Sequence, residues 1–130
     1  MVTDHTALDH GPEWSPDGRS IAFHSKREGD FDIWILRLED HSLIRLTDYE
    51  GDEQYPDWSP SGEFIVFDSD RSGNRDIWIR PVAGREAIQV TRHPSTDQRP
   101  SWSPDGTKIA FSSDREGSLD VWVVNVPKLE

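Results

Sequence analysis

Trp14-Ser15-Pro16-Asp17-Gly18-Arg19-Ser20-Ile21-Ala22-Phe23-His24-Ser25-Lys26-Arg27-Glu28-Gly29-Asp30-Phe31-Asp32-Ile33-Trp34 is followed by two further versions of itself, at residues 58–78 and 102–122. Trp14, Trp58 and Trp102 recur every 44 residues, as do Trp34, Trp78 and Trp122, with no insertion or deletion between copies. Of the 23 columns from Pro12 to Trp34, 12 are identical in all three copies, among them Phe23/Phe67/Phe111, Arg27/Arg71/Arg115 and Asp32/Asp76/Asp120. Self-similarity at such a period marks an architecture in which one small unit stacks on the next, because no single unit can bury its apolar face alone.

Each copy reads as four short strands. The first ends at Pro-x-Trp-Ser. It runs into a turn, Ser15-Pro16-Asp17-Gly18, Ser59-Pro60-Ser61-Gly62 or Ser103-Pro104-Asp105-Gly106. In these turns proline presets φ and glycine accepts a positive one. Ile21-Ala22-Phe23 and its copies form the second strand, and Ile33-Trp34-Ile35 and its copies the third. A polar loop with Gly29, Gly73 or Gly117 joins the two. Leu43–Thr47 and Ala87–Thr91 are expected as fourth strands. The segments are rich in β-branched and aromatic residues, and no 3.6-residue period runs anywhere. Four strands in each repeat of this length are the signature of a β-propeller blade; the alternative is a β-solenoid, whose repeats are usually shorter and lack these hairpin turns. The expectation is an all-β chain, one half-propeller domain over residues 1–130. Its repeats fall at about 9–52, 53–96 and 97–130, and residues 1–8 supply outer-strand and loop residues to a neighbouring blade.

The charge balance narrows the partners. Against 25 Asp and Glu stand 14 Lys and Arg, a net charge of −11. That argues against nucleic acid, whose backbone needs a cationic face, and against anionic membranes. No apolar run reaches membrane-spanning length, and Met1–His5 carries no basic-then-apolar leader. There is no cysteine, which suits several compartments equally.

The run Trp-Ser-Pro-Asp-Gly-x-x-Ile-Ala-Phe-x-Ser-x-Arg-x-Gly-x-x-Asp-Ile-Trp resembles the WD40-like (PD40) repeat of TolB-type propellers, and the resemblance covers essentially the whole chain. It implies the propeller fold, with protein partners and a periplasmic setting if the chain is TolB-like. The same blades occur in propellers attached to prolyl-oligopeptidase-type peptidases and in metal-dependent oligogalacturonide lyases. Three readings stay open: a non-enzymatic scaffold, a fragment or engineered unit of a larger propeller, and a lyase-type enzyme.

The six tryptophans are assigned to packing between blades, since a sugar or base platform does not need this periodicity. The repeated Ser-x-Arg arginine and the aspartate before each third strand are read as a brace between hairpins. Asp68–Asp76 imitates the start of a calcium loop, but its twelfth position is Ile79, where a bidentate glutamate belongs. His10, Gln54 and Gln98 are equivalent positions approaching the channel, yet the five histidines form no ligand-spaced cluster. No catalytic residue, metal or cofactor is assigned. The candidate ligand site is acidic: Asp48, Glu50, Asp52, Glu53 and Asp97 in the loops before the innermost strands, with Glu13 and Asp57 further along the channel wall. A protein or basic peptide is its expected partner.

The other expected partner is the chain itself. Propellers close with about 4–8 blades, and six is the multiple of three within that range. Residues 1–3 align with the end of a fourth strand, which the third repeat lacks. A homodimer is therefore expected, with blade 3 of each copy against blade 1 of the other.

Overall fold

A computed structural model describes residues 9–84 and 86–129 of the chain. The expected donation of Val2 and Thr3 to a neighbouring blade lies outside the described residues. Eleven strands run in chain order, with no helix among the described residues. The first sheet holds β1 (Asp9–Trp14), β2 (Ser20–Glu28), β3 (Asp30–Arg37) and β4 (Leu43–Arg45), antiparallel and in that order. The second repeats it with β5 (Glu53–Trp58), β6 (Phe64–Ser69), β7 (Asp76–Pro81) and β8 (Ile88–Gln89). The third has three strands, β9 (Asp97–Trp102), β10 (Lys108–Ser113) and β11 (Asp120–Asn125).

The hairpin turns follow from their residues. In each, the glycine N–H of Gly18, Gly62 or Gly106 donates to the carbonyl of Ser15, Ser59 or Ser103, at 2.9 Å in all three. The three glycines have φ of 72°, 76° and 75°, a region that costs other residues strain. Asp17 and Asp105 each accept from the turn serine, at 2.6 and 2.7 Å, which holds the loop closed.

The fourth strands are shorter than the expected Leu43–Thr47 and Ala87–Thr91, because a side chain competes for a ladder donor. Thr47 Oγ1 accepts the Ile33 N–H at 2.9 Å, and Thr91 Oγ1 accepts the Ile77 N–H at 2.9 Å. A side-chain hydroxyl takes the donor that a backbone carbonyl would have taken, so the ladder ends there.

The sheets stack face to face, and the core lies between them. Between the first and second sheets pack Ala22, Ile33, Ile35, Leu46, Trp58, Ile65 and Phe67. Val66, Ile77, Ile79, Ile109 and Phe111 repeat the arrangement between the second and third, with Trp102 and Trp122 against them. Alternation along each strand is what serves two junctions at once: in the central sheet Phe67 points to one neighbour and Val66 to the other. β5 packs against β1 on one side and β9 on the other, so the first strands of the blades line a common axis, with β4 and β8 outermost.

Candidate functional site

Each axial strand is broken by a bulge. Pairing shifts between His10 and Glu13, between Gln54 and Asp57, and opposite Ala110 and Ser112 in β9. The residues at the break, Gly11, Tyr55 and Arg99, are left-handed, with φ of 61°, 54° and 53°. At Gly11 a Cβ would sit 2.9 Å from His24 Nδ1, so any other residue there would have to displace the His24 ring. Tyr55 and Arg99 hold the same conformation against their preference, and what holds them is a bond to the preceding blade. The Tyr55 N–H donates to His24 Nδ1 at 3.1 Å, and the Arg99 N–H to Asp68 Oδ2 at 2.8 Å. Position 24 and its equivalent, position 68, thus latch one blade to the next. The sequence signal was present but faint: a variable column, His24/Asp68/Ser112, in which every residue can accept a hydrogen bond.

Accepting through Nδ1 requires a neutral imidazole. Burial, with His10 and Arg75 nearby, lowers the His24 pKa to about 4. Asp68 is pushed the other way, up to about 6, by burial, against the pull of the Arg99 amide and the Arg75 guanidinium. Arg75 is ion-paired to Asp68, so the calcium-like loop has its first carboxylate committed to a cation of its own.

Aromatic rings gather around the first latch. His24 lies 4.8 Å from Tyr55 and 4.9 Å from Phe31, and His10 stacks on it at 5.5 Å. Lys26 sits over the Phe31 ring at 4.9 Å, and Arg99 over Tyr55 at 4.5 Å, with Arg99 Nη2 3.0 Å from the Tyr55 hydroxyl.

The seven carboxylates picked out from the sequence do not form one cluster. Asp48 and Glu50 are exposed in the loop after β4. Asp52 braces that loop, accepting the Phe31 N–H and donating its own N–H to Asp70, both at 2.9 Å. Glu53 is fully buried and accepts from Ser69 Oγ at 2.7 Å. Asp97 is also fully buried and accepts from Arg115 Nη2 through both carboxylate oxygens, at 3.0 and 3.1 Å. Asp57 accepts the Trp102 N–H at 2.8 Å, a further tie between blades, and its charge acts on the exposed Glu13, whose pKa is raised by its own partial burial and by Asp57. Among the described residues no group of three or more His, Cys, Asp or Glu side chains is arranged to hold a metal ion.

The expected brace between the repeated arginine and the aspartate before the third strand is corrected by the geometry. Arg27 pairs with Asp9 at 3.1 Å and Arg115 with Asp97, the first residues of their own axial strands. Asp32 pairs instead with Arg45 at 2.7 Å. The reason is register: Asp9 lies opposite Ser25, two residues from Arg27. What faces solvent near the axial strand starts is therefore charge and ring: Asp48, Glu50, Lys26, Arg99 and His10, with Phe31 and Tyr55 partly open. Such a surface offers charge, hydrogen bonding and ring stacking to whatever meets it.

Comparison with known proteins agrees with this geometry. A putative TolB from Agrobacterium tumefaciens superposes with a TM-score of 0.85 at 31% identity, over 95% of this chain and 47% of that one. TolB from Acinetobacter baumannii gives 0.89 at 26% identity, over 95% of this chain and 31% of its own. An oligogalacturonate lyase from Vibrio parahaemolyticus shares the fold, with a TM-score of 0.70 at 19% identity, over 98% of this chain and 39% of the lyase. The chain thus spans less than half the length of each of these structures. The family model described as the TolB beta propeller domain matches residues 1–88. With that match over the first two blades, and the same blade repeated a third time, the chain belongs to the TolB β-propeller domain family.

Proposed function

We propose that this protein is a non-enzymatic propeller scaffold that closes by seating its third blade against the first blade of a second copy, giving a six-bladed homodimer. One observation carries the reading: the two end faces are open where their repeats are buried. Trp14 is 61% exposed, whereas its equivalent Trp58 is 9% exposed. Val121 and Val123 are 77% and 59% exposed, whereas Ile33, Ile35, Ile77 and Ile79 at the same positions are at most 2% exposed. The internal junctions show what covers each face. Trp58 packs on Ala22, Ile33 and Ile35 of the blade before it, and its Nε1 donates to the Glu13 carbonyl at 3.1 Å. Trp14 of a second copy finds the same seat in Ala110, Val121 and Val123, and Ser112 offers the latch acceptor for the Gly11 N–H. A plug and its seat on opposite ends of a three-bladed arc cannot meet within one chain, and two arcs close on a two-fold axis.

Sedimentation of the purified chain at micromolar concentration tests this. A mass of twice 14.9 kDa is expected. A stable folded monomer would instead favour the unit of a longer propeller, and a trimer or open polymer would exclude two-fold closure.

A second reading rests on the solvent-facing Asp48 and Glu50 beside the axial strand starts: the ring binds a protein or basic peptide there. Binding of an oligolysine peptide should weaken as salt rises, because exposed charges are screened. Affinity unchanged by salt, or by Asp48→Asn with Glu50→Gln, would remove it. A lyase-type activity is the reading set aside. A stoichiometric transition metal in the purified protein would restore it.

A further inference from the structure

Position 53 is where the three repeats stop behaving alike. The first and third blades carry aspartate there, Asp9 and Asp97, each held by its own arginine, Arg27 or Arg115, at 3.0–3.1 Å. The second blade carries the longer Glu53, and its arginine is placed differently: all three arginines lie over the tryptophan of their own third strand, but Arg71 also lies over the Tyr49 ring, at 3.8 Å, and forms no ion pair among the described residues. Glu53 is fully buried, with Ser69 Oγ donating to Oε2 at 2.7 Å, while Oε1 meets no N–H or O–H donor among the described residues. What stands against it is the carboxyl of Asp32, itself 1% exposed and on β3 of the preceding blade. Two carboxyl groups can be neighbours in a dry junction only if one of them keeps its proton.

We propose that the junction between the first and second blades is closed by one proton held on Glu53 and shared with Asp32, a lock that opens when that proton is lost. The assignment to Glu53 follows from the cations. Asp32 has Arg45, at 2.7 Å, to stabilise its charge. Glu53 has the Ser69 hydroxyl and, among the described residues, no ion pair. The groups facing the pair are Asp32 and Arg45 from the first blade, and Ser69 with Asp70 from β6 and the turn after it. Of these, Asp70 adds further negative charge. Burial first, then the Asp32 and Asp70 carboxylates, push the Glu53 pKa up to about 8.

The sign of the pH effect follows. An unfolded glutamate ionises near pH 4.5. Between that value and about 8 the folded chain holds the extra proton, so stability declines as pH rises, and the decline continues until the folded group has ionised. From pH 7 to pH 9 the folding equilibrium constant should drop about tenfold, a fall in thermal midpoint of about 4–8 °C for a domain of this size.

The test is thermal melting of the full chain at pH 7, 8 and 9, with Glu53→Gln, which mimics the protonated group and cannot ionise. The wild type should lose stability over this range and the variant should not. An infrared band of a protonated carboxyl at pH 7, absent from the variant, is the second readout. A flat wild-type profile, or an alkaline fall that Glu53→Gln leaves intact, overturns the proposal. If the variant does not fold, absence of the protonated-carboxyl band in the wild type at pH 7 overturns it independently.

Discussion

His24 shows how one side chain takes a role that its residue type leaves open. In a sequence it is a lone histidine near a turn. In the fold it accepts the Tyr55 amide across a blade junction, and burial holds it neutral with a pKa of about 4. The unfolded imidazole titrates near 6.5. Between those values the unfolded chain binds more protons, so stability is full above about pH 6.5 and is lost as pH falls towards 4. Because Glu53 and Asp68 hold extra protons in the folded chain over part of the same window, the loss is read as a difference: in thermal melts at pH 7, 5.5 and 4.5 the wild type should fall relative to a chain without this imidazole. His24→Asn, whose amide oxygen can still accept, should show less of it.

At the scale of the element, the end of each outer strand is set by a hydroxyl. Thr47 is buried, accepts the Ile33 N–H and lies 3.4 Å from Asp32 Oδ1. Thr47→Val keeps the shape and leaves the Ile33 donor unpaired in the core. A loss of about 1–3 kcal/mol is expected by chemical denaturation, and Thr91→Val should match it at Ile77. Equal stability of wild type and both variants would mean that another acceptor takes the donor. Strand and turn positions were legible in the sequence because hairpin chemistry is local. The short fourth strands were not, since the competing acceptor lies 14 residues from its donor.

For the whole molecule, repeat-equivalent residues should respond differently according to which face they occupy. Trp58→Ala empties a junction within the chain and should cost about 3–5 kcal/mol of folding stability. Trp14→Ala removes a side chain that is exposed in the single chain. On the assembly proposed above it should leave the arc folded and raise the dimer dissociation constant by at least tenfold, read by sedimentation across a concentration series. A Trp14→Ala chain that assembles as the wild type does would place the contact elsewhere.

The 44-residue period, the strand–turn–strand grammar and the blade count are properties of residues close together in the chain, and they were readable directly. So was the belonging of the tryptophans to a repeated scaffold. The fate of the acidic residues was not. Asp48, Asp52, Glu53 and Asp97 look alike in sequence, yet the first is solvated, the second braces a loop, the third is buried beside another carboxyl and the fourth is gripped by Arg115. The left-handed turn of Tyr55 and Arg99 was equally hidden. Each of these outcomes depends on desolvation and on groups brought from other strands or from the preceding blade. Those are decided when sheets pack against sheets.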